Sequence, residues 1–242
     1  MTDAPAKKSD LPVRTASAVV MLAVAGTALW LGGWTWNLLV LAISAGVLWE
    51  FARLVIAFER RAAMRLAWLT FGLVYVGLAG FTLLLLRSPF YGMGPVLTVA
   101  GAVIGVDVGA YFSGRTFGGP KIAPRISPSK TWSGLAGGMA GAALALFVAI
   151  GVSRGFGFSP AEYGVLLFGI PLAIIAQAGD FFESWLKRRA GVKDSSRLIP
   201  GHGGLFDRVD GLLAVCFTIG LLMLGTVLLT LARGESLLPS PA

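Results

Sequence analysis

Four side chains in the stretch "GDFFESWLKR" raise the chemical question. Asp180, Glu183, Ser184 and Lys187 follow one another at i, i+3, i+4 and i+7, so a helix would carry them along one stripe. A carboxylate stripe ending in a base suits a metal ion with phosphate beside it. Downstream, "GHGGLFDRVD" supplies Gly201, Gly203 and Gly204, whose missing side chains let backbone N–H groups approach a phosphate closely. Asp207 and Asp210 stand at i, i+3 where a last helix should begin, so both could face one ion from a helix N-terminus. Asp207 reads equally well as a plain N-cap.

A second polar stretch, "GRTFGGPKIAPRISPSKTW", carries Arg115, Lys121, Arg125 and Lys130 and no acid. Pro120, Pro124 and Pro128 exclude a continuous helix there. The stretch reads either as a headgroup-binding loop, since anionic lipid attracts basic residues by about 1 kcal/mol each, or as part of a site through Lys130. Carboxylate and phosphate oxygens together complete an octahedral shell, which makes Mg²⁺ the natural metal, and a second cation beside it stays open. His202 is the only histidine and Cys216 the only cysteine. A multi-histidine zinc site, a cysteine metal site and an intrachain disulfide are therefore excluded. His202 in such a loop suits donation to a phosphate oxygen, and Cys216, in an apolar run, reads as a packed hydrophobe.

The elements that must position these residues lie in a membrane. Of 242 residues, 56% are hydrophobic and 13% charged, with a mean hydropathy of +0.79, too apolar for an ordinary soluble domain. Seven segments have the length of a bilayer-crossing helix: 15–31, 34–58, 66–86, 95–113, 134–152, 163–179 and 212–231. The fold class expected is an all-α polytopic membrane protein with about seven transmembrane helices, to which short or re-entrant helices would add. A tail at 1–14, one membrane domain at 15–232 and a short tail at 233–242 follow. The first segment has signal-peptide flanks, but "AVAGTALWLGGWTW" offers no convincing cleavage site and runs into the second span, so an uncleaved helical hairpin is expected.

With seven spans, Arg87, Arg154 and Arg233 fall on one side and the remaining seventeen of the 20 Lys and Arg on the other. The positive-inside rule then puts the N-terminus and both polar loops in the cytoplasm. The net charge of +8 is thereby assigned to topology, and no nucleic-acid partner is expected. Of the carboxylates within or abutting spans, Glu50, Asp107, Asp180 and Glu183, all lie toward that face. An ionised group in hydrocarbon is a functional hypothesis by default. For Glu50 alone an interhelical hydrogen bond serves as well. An ion- or proton-coupled transporter using Glu50, Asp107 and Asp180 is the alternative, and it predicts polar groups through the full membrane depth.

The run Ser184, Lys187, Arg188, Lys193, Asp194, Ser196, Pro200, His202, Gly203, Gly204, Asp207, Arg208, Asp210 resembles the signature of phosphatidate cytidylyltransferases, the CDP-diacylglycerol synthases. "DVGAYFSGRTFGGPKIAPRISPSKTW" looks like that family's second cytoplasmic segment and "VLWEF" like its early helix, so the resemblance covers most of the chain from the second span onward. One departure is visible: after Lys-Thr-Trp the family usually continues Glu-Gly, and this chain has Ser133 and Gly134.

The resemblance implies an enzyme of phospholipid biosynthesis that transfers CMP from CTP to phosphatidate, giving CDP-diacylglycerol and pyrophosphate. It implies Mg²⁺ dependence, a site facing the cytoplasm at the inner membrane, and a homodimer. By the family's pattern Asp180 and Asp207 hold the metal with Asp210 close by. Lys187 and Arg208 act at the reacting phosphates, while Lys130, Ser184, Arg188, Lys193, His202, Gly203 and Gly204 bind substrate. A CDP-alcohol phosphatidyltransferase would instead carry a "DG..AR" string ahead of paired aspartates, which this chain lacks.

Overall fold

The computed structural model describes residues 11–156 and 160–234. Most of both expected tails, residues 1–10 and 235–242, lies outside the described residues. The chain is an all-α polytopic membrane protein built from α1 (Leu11–Leu31), α2 (Gly33–Phe58), α3 (Ala62–Leu86), α4 (Gly94–Thr116), α5 (Trp132–Arg154), α6 (Pro160–Leu166), α7 (Gly169–Arg189) and α8 (Phe206–Ala232). Among the described residues, seven spans are long and apolar enough to cross a membrane, with α6 and α7 forming one of them, Tyr163–Arg189.

That sixth span begins at Tyr163 as expected but differs in its interior and at its far end. It breaks at Leu167–Phe168, where the N–H groups of Leu167, Phe168 and Ile170 bond three residues back instead of four. Pro171 explains the break, since it offers no N–H and its ring crowds the carbonyl of residue 167. The helix also runs past residue 179 to Arg189, so Asp180 lies inside it and the stripe Asp180, Glu183, Ser184, Lys187 stays helical throughout.

Between α4 and α5 the proline-rich stretch forms a two-stranded antiparallel hairpin, β1 (Lys121–Ala123) and β2 (Ser127–Thr131), in the register Lys121↔Thr131 and Ala123↔Ser127. Thr131 Oγ1 accepts the N–H of Gly134 at 3.0 Å and so caps α5. The hairpin is thereby fastened to the helix it precedes.

Helices α4 and α5 approach through glycine. A Cβ on Gly109 would collide with Gly137 O, and one on Gly141 with Gly105 O. Such small-residue contacts replace the hydrophobic drive that lipid cannot supply. The main apolar core joins α2, α3, α7 and α8 around Phe51, Tyr75, Val76, Leu186 and Phe206, and Cys216 is buried in it as expected. Ala28 is the only fully buried residue of α1. That helix is held at one end by Arg87 Nε donating to Leu29 O at 2.9 Å.

Candidate functional site

The site forms where the ends of α4, α7 and α8 meet the hairpin and the 190–205 loop. Three adjoining cavities lie there. A hairpin cavity of about 430 Å³ is lined by Asp107, Tyr111, Arg115, Lys121, Lys130 and Asp180 among others. A loop cavity of about 610 Å³ is lined by Arg14, Lys193, Asp194, Arg197, His202 and Arg208 among others. A central cavity of about 430 Å³ shares Asp107 and Asp180 with the first and Lys193, Asp194 and Arg208 with the second, and adds Glu183, Lys187, Arg188, Asp207 and Asp210.

Asp180, Glu183 and Asp210 each bring one carboxylate oxygen within 4.8 Å of the others. Lys130, from β2, pairs with Asp180, and Lys187 Nζ lies 2.5 Å from Glu183 Oε2 and 2.6 Å from Asp207 Oδ1. Two ammonium groups thus balance the acidic cluster where a divalent cation would do the same. The donor set fits Mg²⁺. It consists of hard oxygens spread little wider than the roughly 4.2 Å between opposite ligands of an octahedral Mg²⁺. Glu183 Oε1 is buried without a hydrogen-bond partner among the described residues, which a cation would remedy.

Asp207 is arranged differently from expectation. It sits in the first turn of α8, and its Oδ2 accepts the N–H of Ser195 at 2.9 Å and of Gly204 at 2.9 Å, while Oδ1 holds Lys187. It is not in the three-carboxylate group, because the neighbouring loop surrounds it with donors. The carboxylate therefore organises the loop as well as facing the cluster; the N-cap position falls on Leu205, so Asp207 is not the cap and instead reaches back from the first turn to the N–H of Gly204.

Gly203 and Gly204 use their N–H groups within the loop: Gly203 N donates to Ile199 O at 3.1 Å, and Gly204 N to Asp207. Gly201 and Gly203 have φ of 75° and 89°, a conformation that glycine adopts without strain. Gly204 packs so closely that a Cβ would sit 2.6 Å from Glu50 Oε1.

Glu50 is the residue whose importance local spacing did not disclose. It is fully buried on α2 and accepts hydrogen bonds from Leu205 N at 2.9 Å, Phe206 N at 2.6 Å and Ser196 Oγ at 2.5 Å. Ser195 Oγ lies 3.0 Å from Glu50 Oε2 and 2.8 Å from Asp207 Oδ2, and its single proton serves one of them at a time. Glu50 and Asp207 thus grip the same loop from two helices. In the sequence, its place as a carboxylate within a span and the string "VLWEF" pointed to Glu50, but neither named the loop as its partner.

Of the other expected residues, Arg188 Nε donates to Ile126 O at 3.4 Å and ties α7 to the hairpin. Lys193 and Arg208 face both the loop and central cavities, and His202 faces the loop cavity. Ser184 is buried on α7 and lines none of the three. Ser133 Oγ donates to Gly118 O and lies 3.1 Å from Thr131 Oγ1, so it anchors the hairpin base. Gln177, one turn before Asp180, is buried at the hairpin cavity and was not expected there.

The chain is similar to several curated proteins. A phosphatidate cytidylyltransferase of Brucella suis is 42% identical over 150 residues, 61% of this chain and 53% of that protein. One from Haemophilus influenzae is 37% identical over 129 residues, 53% and 45% of the two chains, and one from Pseudomonas aeruginosa 44% over 135 residues, 54% and 48%. The chain spans about half the length of the curated relatives it matches. The model of the cytidylyltransferase family matches residues 56–225, from the end of α2 through most of α8 and so across both polar loops and every carboxylate of the cluster, and the chain belongs to that family.

Proposed function

We propose that this protein transfers CMP from CTP to phosphatidate, forming CDP-diacylglycerol and pyrophosphate. The observation that carries the reading is the central cavity, where Asp180, Glu183 and Asp210 gather among Lys187, Arg188, Lys193 and Arg208 and open toward two flanking basic cavities. One carboxylate cluster between two cationic spaces suits two phosphorylated substrates meeting at a metal.

An oxygen of the lipid phosphate attacks the α-phosphorus of CTP, and the bond from that phosphorus to the oxygen bridging to the β-phosphate breaks, releasing pyrophosphate. The attacking oxygen is already ionised near neutral pH, so no strong base is required, and a chain with a single histidine can perform the step. What the protein supplies is in-line positioning of two anions and stabilisation of charge on the attacked and leaving groups. Asp180 and Asp210 would hold Mg²⁺, with Glu183 beside them and Asp207 joining when Lys187 moves onto a phosphate. The metal would supply Lewis acidity and a template. Lys130, freed from Asp180, would turn to the lipid phosphate, and Lys193, His202 and Arg208 to the nucleotide.

Seven membrane-spanning helices support a reaction at a membrane, where a lipid with buried acyl chains can present its phosphate to a soluble nucleotide. The Lys and Arg distribution supports the cytoplasmic face of the inner membrane. Assembly as a homodimer completes the reading and is tested by the mass of the purified protein in detergent. The transporter alternative is disfavoured by the same geometry: Glu50 is engaged by the loop, and Asp107 and Asp180 face the same cavity instead of spacing along the helices. The reading is tested by incubating purified protein with phosphatidate, labelled CTP and Mg²⁺. CDP-lipid formation that is lost in Asp180→Asn supports it, and an Asp180→Asn protein of undiminished rate overturns it.

A further inference from the structure

The loop cavity has a wall from outside the polar loops. Arg14, near the start of α1, lines it together with Lys193, Arg197, His202 and Arg208. Against these four full positive charges stands the single carboxylate of Asp194. Among the described residues, none of Arg14, Lys193, Arg197 and Arg208 forms an ion pair. Unpaired cations around a cavity of about 610 Å³ call for a multiply charged anion.

Arg14 is held in place by a specific contact. Ser17, one turn further along α1, has its Oγ 2.8 Å from His202 Nδ1 and 3.0 Å from Pro200 O, and with Nδ1–H donating to it the one hydroxyl proton serves Pro200 O or, within α1, the carbonyl of Val13 or Arg14. Gly201 packs against the backbone of Arg14, where a Cβ would lie 2.9 Å from Arg14 Cγ. Because α1 is otherwise almost unburied, this contact determines whether Arg14 faces the cavity.

We propose that Arg14 binds the terminal phosphates of the nucleotide and that the contact of Ser17 with His202 and Pro200 latches α1 onto the nucleotide site. The proposal rests on the cytidylyltransferase reading above and assigns the two flanking cavities. The loop cavity has the larger excess of positive charge, so it takes the β- and γ-phosphates that leave as pyrophosphate. The hairpin cavity, where Arg115, Lys121 and Lys130 are offset by Asp107 and Asp180 and the exposed Tyr111 of α4 forms part of the wall, takes the less charged lipid phosphate. Lys193 and Arg208, shared with the central cavity, then hold the triphosphate so that its α-phosphorus reaches the carboxylate cluster.

Steady-state kinetics of the reconstituted full chain test this with Arg14→Gln, Arg14→Lys and Ser17→Ala. Arg14→Gln is expected to raise KM for CTP about tenfold, the effect of losing ~1.4 kcal/mol of binding, and to weaken inhibition by added pyrophosphate by a similar factor. KM for phosphatidate and kcat should stay within about twofold, since uniform binding is what is removed. Arg14→Lys should recover part of the loss, and Ser17→Ala should move KM for CTP in the same direction by a smaller factor. Unchanged CTP and pyrophosphate parameters in Arg14→Gln overturn the proposal, as does a rise in KM for phosphatidate alone, which would give Arg14 to the lipid headgroup. If Arg14→Gln does not fold, unchanged CTP parameters in both Arg14→Lys and Ser17→Ala overturn it equally. A wild-type protein that makes no CDP-lipid would instead defeat the functional reading. Calorimetric binding of Mg²⁺-pyrophosphate to wild type and Arg14→Lys would then still decide the site, with equal affinities counting against it.

Discussion

The backbone N–H of Phe206 donates to Glu50 Oε2 at 2.6 Å, joining the start of α8 to the buried face of α2 across 156 residues of sequence. Helix α8 has Leu205 at its cap position and no side-chain cap of its own. Glu50 supplies the missing acceptor from another helix, and a carboxylate at a helix N-terminus is also favoured by the helix dipole. The loop that ends at α8 is thereby fixed before any substrate arrives.

Glu50→Ala leaves buried backbone and hydroxyl donors without an acceptor, a loss of about 1–3 kcal/mol for such a group. For a chain of this size that corresponds to roughly 2–12 °C in the unfolding midpoint, measurable by tryptophan fluorescence in detergent. Glu50→Gln, which keeps one carbonyl acceptor, should lose less. Both variants should bind CTP more weakly because the loop carries Lys193 and His202. A Glu50→Ala protein with the wild-type midpoint and CTP affinity would contradict the clamp.

The carboxylate cluster gives a second expectation, read by Mg²⁺ titration of the initial rate. Asp180→Asn and Asp210→Asn should each reduce kcat/KM by about 100-fold or more, equivalent to ~2.7 kcal/mol. Glu183→Gln should raise the Mg²⁺ concentration for half-maximal rate with a smaller effect at saturation. Asp207→Asn should lower the rate and also loosen the 195–204 segment, seen as faster amide exchange there. If Asp210→Asn retains both the rate and the Mg²⁺ dependence of wild type, the cluster is not the metal's seat.

Much of this arrangement was legible locally, and the remainder depended on distance in sequence. The spans could be read because hydropathy and the placement of Lys and Arg are almost all that a bilayer requires of a helix. The α7 stripe could be read because i, i+3, i+7 is a relation within one helix. The break before α7 was written in Pro171 but is hidden by averaging over an apolar run. The partners of Glu50 lie 145 to 156 residues away, and no local pattern announces them. Glycine at 203 and 204 was ambiguous in principle, since the same residue serves a phosphate cradle and a tight internal packing, and here the packing prevails.

The α4–α5 contact should tolerate no added bulk. Gly141→Ala places a Cβ against Gly105 O, and relief requires separating backbones at a cost of about 1–3 kcal/mol. Asp107 on α4 and Lys130 before α5 would move apart with them. The expected outcome is a lower unfolding midpoint together with a raised KM for phosphatidate. Gly101→Ala, on α4 with nothing within 4 Å of the added Cβ, is the matched control and should change neither.

The central claim is that the carboxylate cluster joins two phosphorylated substrates. The most direct measurement supplies purified protein with phosphatidate, Mg²⁺ and CTP labelled on its α-phosphate, and follows the label into lipid while pyrophosphate is assayed in parallel. The account predicts labelled CDP-diacylglycerol and pyrophosphate in equal amounts, strictly dependent on Mg²⁺ and abolished by Asp180→Asn. Wild-type protein that leaves the label in CTP, or label transfer that persists at full rate in Asp180→Asn, would contradict it.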